Sequence, residues 1–138
     1  MSLENVEIVR AMIDAANRGD WDACIKDAAP GFVWDNSRAI GTDNRVVLTS
    51  ADETRDFFRQ LAEIWESLRI EIVETVPIGD HVVVPHTIHI RGRDGIEAQA
   101  RTTWLFTIHD GKIERVCLYQ AKDEALNAAG LGETNQWG

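Results

Sequence analysis

The stretch Ile96-Glu97-Ala98-Gln99-Ala100-Arg101-Thr102-Thr103-Trp104-Leu105-Phe106-Thr107-Ile108 decides the fold. One set of alternate positions, Ile96, Ala98, Ala100, Thr102, Trp104, Phe106 and Ile108, is apolar in six cases of seven. The other set, Glu97, Gln99, Arg101, Thr103, Leu105 and Thr107, is apolar in one of six. A sustained period of two belongs to a β-strand packed on one face and wet on the other, as antiparallel sheets commonly are. Turn signals bracket it: Gly92-Arg93-Asp94-Gly95 before and His109-Asp110-Gly111 after. Residues 82–91 and 112–120 therefore read as its antiparallel neighbours. Residues 68–77, ending at the Gly79-Asp80 turn, read as one further strand. The second half of the chain is a meander.

The first half carries a different period. Leu3, Val6, Val9, Ile13 and Ala16 recur at helical spacing, which predicts a helix over 3–18 stopped by Gly19. Asp20 caps a second, short helix opening at Trp21 and ending before Pro30-Gly31. Residues 32–36 (Phe32, Val33, Trp34, Asp35, Asn36) read as a strand. Ser37 to Thr49 follows as a loop with a turn at Gly41-Thr42-Asp43-Asn44 and room for a brief strand at Val46–Leu48. Ser50 and Glu53 form a capping box for a third helix to about Glu66, and a last helix spans Asp123–Ala129 before Gly130. Early helices and a late meander describe a single α+β domain over residues 1–131, with helices covering one face of a curved sheet and a C-terminal tail over 132–138. The concave space between sheet and helices is the default ligand site.

Composition narrows the function classes. The 138 residues include 14 Lys+Arg and 23 Asp+Glu, a net charge of −9, with 44% hydrophobic and 27% charged residues. That balance suits an ordinary globular core and opposes binding to nucleic acid or an anionic membrane, both of which need clustered cations. Met1-Ser2-Leu3-Glu4-Asn5 lacks the basic start and apolar run of a secretion signal, and no stretch reaches the length of a membrane span. Cys24 and Cys117, without CxxC spacing, read as buried free thiols of a cytoplasmic protein. There is no HxH, HExxH, Cys/His cluster or glycine-rich phosphate loop, so neither a metal nor a cofactor is expected. His86 and His89, three apart on a strand, fall on opposite faces.

Two polar residues are candidates for chemistry. In the register Val82, Val84, His86, Ile88, Ile90 the histidine alone is not apolar, so it is either an acid/base in the pocket or a core residue with its hydrogen bonds satisfied. Asp35 follows Trp34. Within the pocket its pKa would be raised by desolvation, which suits a general base; facing outward it would cap the following turn. Alternation puts Phe32 and Trp34 on one face and Val33 and Asp35 on the other without saying which faces the helices. Trp34, Phe58, Trp65, Trp104 and Phe106 are the aromatic candidates for the pocket walls, and such walls favour flat, ring-containing ligands.

The series Ala16-Asn17-Arg18-Gly19-Asp20-Trp21, Val33-Trp34-Asp35, Asp110-Gly111-Lys112-Ile113 and Asp123-Glu124-Ala125-Leu126-Asn127-Ala128-Ala129-Gly130-Leu131 resembles the SnoaL-like branch of the nuclear transport factor 2-like superfamily. The resemblance runs through nearly the whole chain. It implies a cone-shaped, curved, mixed or antiparallel sheet wrapped around helices, a cystatin-like fold, in a homodimer paired through the outer sheet face. Val83, Pro85, Leu105 and Trp137 are the apolar candidates for that contact. The ketosteroid isomerases of this superfamily use an Asp base with a Tyr and a protonated Asp as oxyanion donors. Carried over by position, the base falls on Asp35, the tyrosine on Met12 and the second aspartate on or beside Trp104. Without oxyanion donors, steroid isomerisation is not expected. The epoxide-hydrolase pattern of two acids bridged by an arginine is not met at Arg101, whose same-face neighbour is Thr103.

Two readings follow. In one, the chain is a cofactor-free isomerase, cyclase or lyase for a small hydrophobic carbonyl compound, with Asp35 as base, His86 as proton donor, and Met12, Trp34, Phe58, Trp65, Trp104 and Phe106 around the substrate. In the other, the same pocket binds a small molecule without turnover, or the domain serves as a dimeric interaction module.

Overall fold

The longest strand, Glu97–His109, runs through the middle of the computed structural model, which describes residues 2–39 and 46–130. In chain order the elements are α1 (Ser2–Asn17), α2 (Trp21–Cys24), β1 (Ala28–Asp35), β2 (Val47–Leu48), α3 (Ala51–Ile64), β3 (Ser67–Ile72), β4 (Val76–Ile78), β5 (His81–Arg91), β6 (Glu97–His109), β7 (Lys112–Tyr119) and α4 (Lys122–Ala128). The sheet order is β2-β1-β7-β6-β5-β3, with β4 also paired to β5. All pairings are antiparallel except β1 with β7. The turn at Gly41-Thr42-Asp43-Asn44, Trp137 and the 132–138 tail lie outside the described residues.

The alternation in β6 is the sheet's frame. Trp104, Phe106 and Ile108 are buried in the larger core cluster with Val82 and Val84 of β5, Val116 and Leu118 of β7, Phe32 and Trp34 of β1, and Val9, Met12 and Ile13 of α1. Caps position the helices above this face. Asp20 accepts from the Ala23 N–H, and Ser50 Oγ accepts from the Glu53 N–H while the Thr49 hydroxyl reaches the Glu53 carboxylate. Asn17 locks the end of α1 to β3, accepting from the Ile70 N–H at 2.7 Å and donating to the Ile70 carbonyl at 2.9 Å.

Three features differ from the sequence expectations. β1 begins at Ala28, ahead of Pro30-Gly31, because the β1–β7 ladder carries an irregularity between Ala28 and Val33 that takes up the proline and a Gly31 at φ 79°. The strand expected over 68–77 is two. β3 pairs with β5 up to His86 and β4 pairs with it from Val83, and between them Pro85, which has no N–H, accepts from Val73 through its carbonyl. Finally, α4 lies on the other face of the sheet from α1, where Ala125 and Ala129 pack with Val83, Leu105 and Cys117. Val83 and Leu105, two of the four apolar residues expected at a dimer contact, are buried there against the chain's own last helix.

β7 reaches only part of β6. Its last pairing is Tyr119 with Thr103, so among the described residues Glu97–Thr102 are paired on one side only, to β5. This half of the strand projects past the core. Its inward residues Ala98 and Ala100 are exposed.

Candidate functional site

The inward face of the sheet and helices α1, α2 and α3 enclose a cavity of about 430 Å³, within the range of small-molecule sites. Around it stand Met12 from α1, Trp34 from β1, Phe58 from α3, Trp65 just past α3, and Trp104 and Phe106 from β6. The rings meet edge to face: Trp34 with Phe58 at 4.8 Å, Trp34 with Trp104 at 5.5 Å, and Trp104 with Phe106 at 6.3 Å. Sequence reasoning passed over Trp21, Leu61, and the aliphatic wall of Leu68, Ile70, Ile88 and Ile90. It also passed over Ala98 and Ala100, although the signal was present. Small residues in an otherwise large apolar register leave room beside them.

Among the described residues that line this space, none titrates near neutrality. Among its described lining residues, Cys24 is the sole ionisable group, and burial, with Asp20 adding to it, pushes that thiol up to about 12. The cavity interior is an uncharged, largely aromatic surface.

His86 sits behind the wall. It is 1% exposed, and its ring stacks on the Trp104 indole with centroids 3.7 Å apart. Nδ1 lies 2.9 Å from the Val84 carbonyl oxygen and Nε2 lies 2.8 Å from Thr102 Oγ1. Burial is the dominant influence and pulls its pKa down to about 4, the Val84 hydrogen bond opposing only in part. Both nitrogens are engaged, so the histidine is satisfied within the fold. His89, on the opposite face, hydrogen-bonds Glu71 at 2.8 Å.

Asp35 takes the outward of its two positions. Trp34 points into the cavity, so its neighbour emerges on the α4 side of the sheet. There Oδ1 accepts from the Ser37 N–H at 2.9 Å and from the Ser37 hydroxyl at 2.6 Å. Oδ2 accepts from Arg115 at 3.1 Å, with Arg38 at 3.6 Å. Burial raises the pKa of this carboxyl, but the two Ser37 hydrogen bonds and the cations of Arg38 and Arg115 outweigh it and hold it below the ordinary carboxylate value. The expectation of a desolvated carboxyl with a raised pKa is corrected accordingly. Asp35 and His86 are not brought together, since the sheet lies between them. Arg115 also donates from Nε to Cys117 Sγ at 3.0 Å, and Arg38 stacks over Tyr119.

No group of three or more His, Cys, Asp or Glu side chains is placed to hold a metal among the described residues. No helix among them is long and apolar enough to cross a membrane.

The arrangement, a curved mixed sheet wrapped around helices with an apolar pocket between, is that of the nuclear transport factor 2-like and cystatin-like proteins. The SnoaL-like domain model matches residues 9–116, and the chain belongs to that family. Solved structures agree on the fold. A nuclear transport factor 2-like protein of unknown function from Burkholderia pseudomallei is 18% identical with a TM-score of 0.75, covering 92% of this chain and 98% of that one. TerC, co-crystallised with polyporic acid, is also 18% identical at TM-score 0.75, covering 91% and 98%. An epoxide hydrolase of the LEH-like type from M. tuberculosis is 17% identical at TM-score 0.72, covering 93% and 88%. No curated protein sequence matches the chain.

Proposed function

We propose that this chain binds a small, flat, ring-containing hydrophobic molecule in the cavity between α1, α3 and the sheet. The observation that carries the reading is the wall itself: Trp34, Phe58, Trp65, Trp104 and Phe106 around a volume suited to a two- or three-ring ligand, with no group that titrates near neutrality among the described lining residues. Offset and edge-to-face contacts with such walls reward planar rings over flexible aliphatic chains. The structural relative co-crystallised with polyporic acid is consistent with an aromatic occupant.

Acid–base turnover of a carbonyl compound is the second reading, and the family's enzymes favour it. It asks for a base inside the cavity. Asp35 is on the far face under two arginines, and His86 is stacked behind Trp104 with both nitrogens occupied. Binding without turnover is therefore the better-supported function. The homodimer implied by family resemblance belongs to the same proposal, and light scattering on a size-exclusion column at micromolar concentration reads it directly.

Calorimetric titration with the methyl ether of naphthol tests the binding reading. The wild-type chain is expected to take up one equivalent, and Ala100→Trp, which fills the cavity from an exposed position, is expected to abolish uptake without unfolding the protein. Absence of uptake by the wild type, or unchanged uptake by Ala100→Trp, overturns it.

A further inference from the structure

The inward face of the sheet changes character along its length. At the closed end Trp104 and Phe106 of β6 are buried, and the Trp104 ring meets both Phe106 and Trp34 edge to face. Toward the β5–β6 hairpin the wall turns aliphatic. Ile70, Ile88 and Ala100 stand opposite one another across β3, β5 and β6, and Leu68, Ile90 and Ala98 form the next row. All six line the cavity. Flat rings and straight chains are thus offered different ends of the same space.

The aliphatic end does not stop at the cavity. A second hollow of about 450 Å³ lies between the end of α3 and the hairpin, and Trp65, Ile90 and Ala98 line both spaces. Ile64 and Ile96 carry the apolar lining past those three, Ile96 lying four positions before Ala100, about 13 Å of extended chain. These two side chains are 63% and 69% exposed, and an apolar occupant would take both out of water. The charged residues of the hollow are tied to backbone: Arg93 donates to the Glu63 carbonyl at 2.8 Å, and Asp94 accepts from the Ile96 N–H at 3.0 Å. Both belong to the hairpin turn, where the apolar track ends.

We infer that the ligand is a ring system bearing a linear alkyl chain, its ring seated among Trp34, Phe58 and Trp104 and its chain running past Trp65, over the Ile90–Ala98 pair, to Ile64 and Ile96. The inference rests on the reading of the cavity as a ring-binding site. The hollow falls to the tail of the cavity's own ligand because three of its eight lining residues already belong to the cavity. A chain leaving the ring meets continuous apolar surface there.

The methyl, propyl and hexyl ethers of naphthol separate the two claims, because the methyl ether reads the cavity and the gain with chain length reads the hollow. By calorimetry the wild type is expected to bind roughly two- to fourfold more tightly for each added methylene. The double variant Ile64→Gln/Ile96→Asn changes two exposed side chains outside the cavity. It is expected to cut the hexyl-to-methyl ratio by roughly fivefold or more while keeping the methyl ether's affinity. Leu3→Asn, which removes an exposed apolar side chain of α1 far from the hollow in sequence and absent from its lining, is expected to leave the ratio unchanged. Equal affinities across the series in the wild type, or a gain undiminished in the double variant, overturn the inference and leave the cavity reading standing. A wild-type dimer that the double variant breaks into monomers, with no gain along the series, gives the hollow to a second copy of the chain and overturns the inference as well. Failure of all three ethers to bind the wild type overturns both.

Discussion

The His86 imidazole lies against the Trp104 indole with ring centroids 3.7 Å apart and planes 26° from parallel. The contact joins the most buried polar side chain of the inward face to the central ring of the cavity wall. A histidine in that position is held by three neighbours at once, Val84, Thr102 and Trp104, and each constrains what the other faces can do.

Acid should therefore weaken the fold through His86. Its pKa is about 4 in the folded chain against an ordinary 6.5, so the unfolded chain binds the proton more readily. The stabilising contribution is complete above pH 6.5 and is lost as pH falls through 4, amounting to about 3 kcal/mol at full loss. Urea denaturation between pH 7 and pH 4 should show this decline, and His86→Gln should flatten that part of the profile while lowering stability at pH 7.

Asp35→Asn should separate turn formation from ligand uptake. Asparagine can still accept from the Ser37 N–H, but the charge that faces Arg115 and Arg38 is lost. A cost of about 1–2 kcal/mol is expected in chemical denaturation, with affinity for an aromatic probe unchanged. A carboxyl NMR titration of the native protein should place Asp35 below the ordinary 3.8, its stabilising effect being lost as pH falls through that lowered value. A raised pKa, or affinity that collapses in Asp35→Asn, would return this residue to the cavity.

Truncation should distinguish the closed end of the cavity from its mouth. Trp104 is 4% exposed and touches Trp34, Phe106 and His86, so Trp104→Ala should cost about 3–5 kcal/mol. Trp65 is half-buried beyond the end of α3, and Trp65→Ala should cost less than half as much while weakening probe binding. Equal destabilisation by the two variants would contradict this division.

The two thiols should be silent in the native state. Cys24 is buried against the cavity with its pKa pushed up to about 12, and Cys117 is buried on the α4 side of the sheet. Neither should react with a thiol-specific disulfide reagent until denaturant is added, when both should react, and no intramolecular disulfide should form on mild oxidation because the sheet separates them.

Legibility of the fold in the sequence followed the strength of its periods. β6 and its flanking turns could be read because the inward and outward residues differ at nearly every position, and the Asp110-Gly111 pair takes the positive φ angles a tight hairpin needs. Where one residue changes the backbone rule, the reading stopped short. Pro85 divides the ladder that 68–77 was expected to share, and Pro30-Gly31 hides inside a bulge instead of ending a helix. α4 was found, but not its side of the sheet, since seven residues with one buried alanine, Ala125, carry little directional information. For the site, the aromatic walls followed from residue type and register. The orientation of Asp35 did not, because β1 alternates without a polar face: Phe32 and Trp34 oppose Val33 and Asp35, and only contact with Trp104 decides between them. The pairing of His86 with Thr102 was within reach. Counting back through the Gly92–Gly95 hairpin from Arg91 opposite Glu97 sets the two residues face to face.

Ala98 and Ala100 stand on the inward face of β6, past the point where β7 stops supporting the strand, and both are exposed. Their methyl groups support nothing above them, while the rings that hold the core together lie further along the same strand. One strand thus separates two properties that most pockets entangle. Lengthening either side chain narrows the bore, and no buried contact has to be given up in exchange. The molecule accepted by this scaffold can accordingly drift, by substitution or by selection, at positions to which its folding is indifferent.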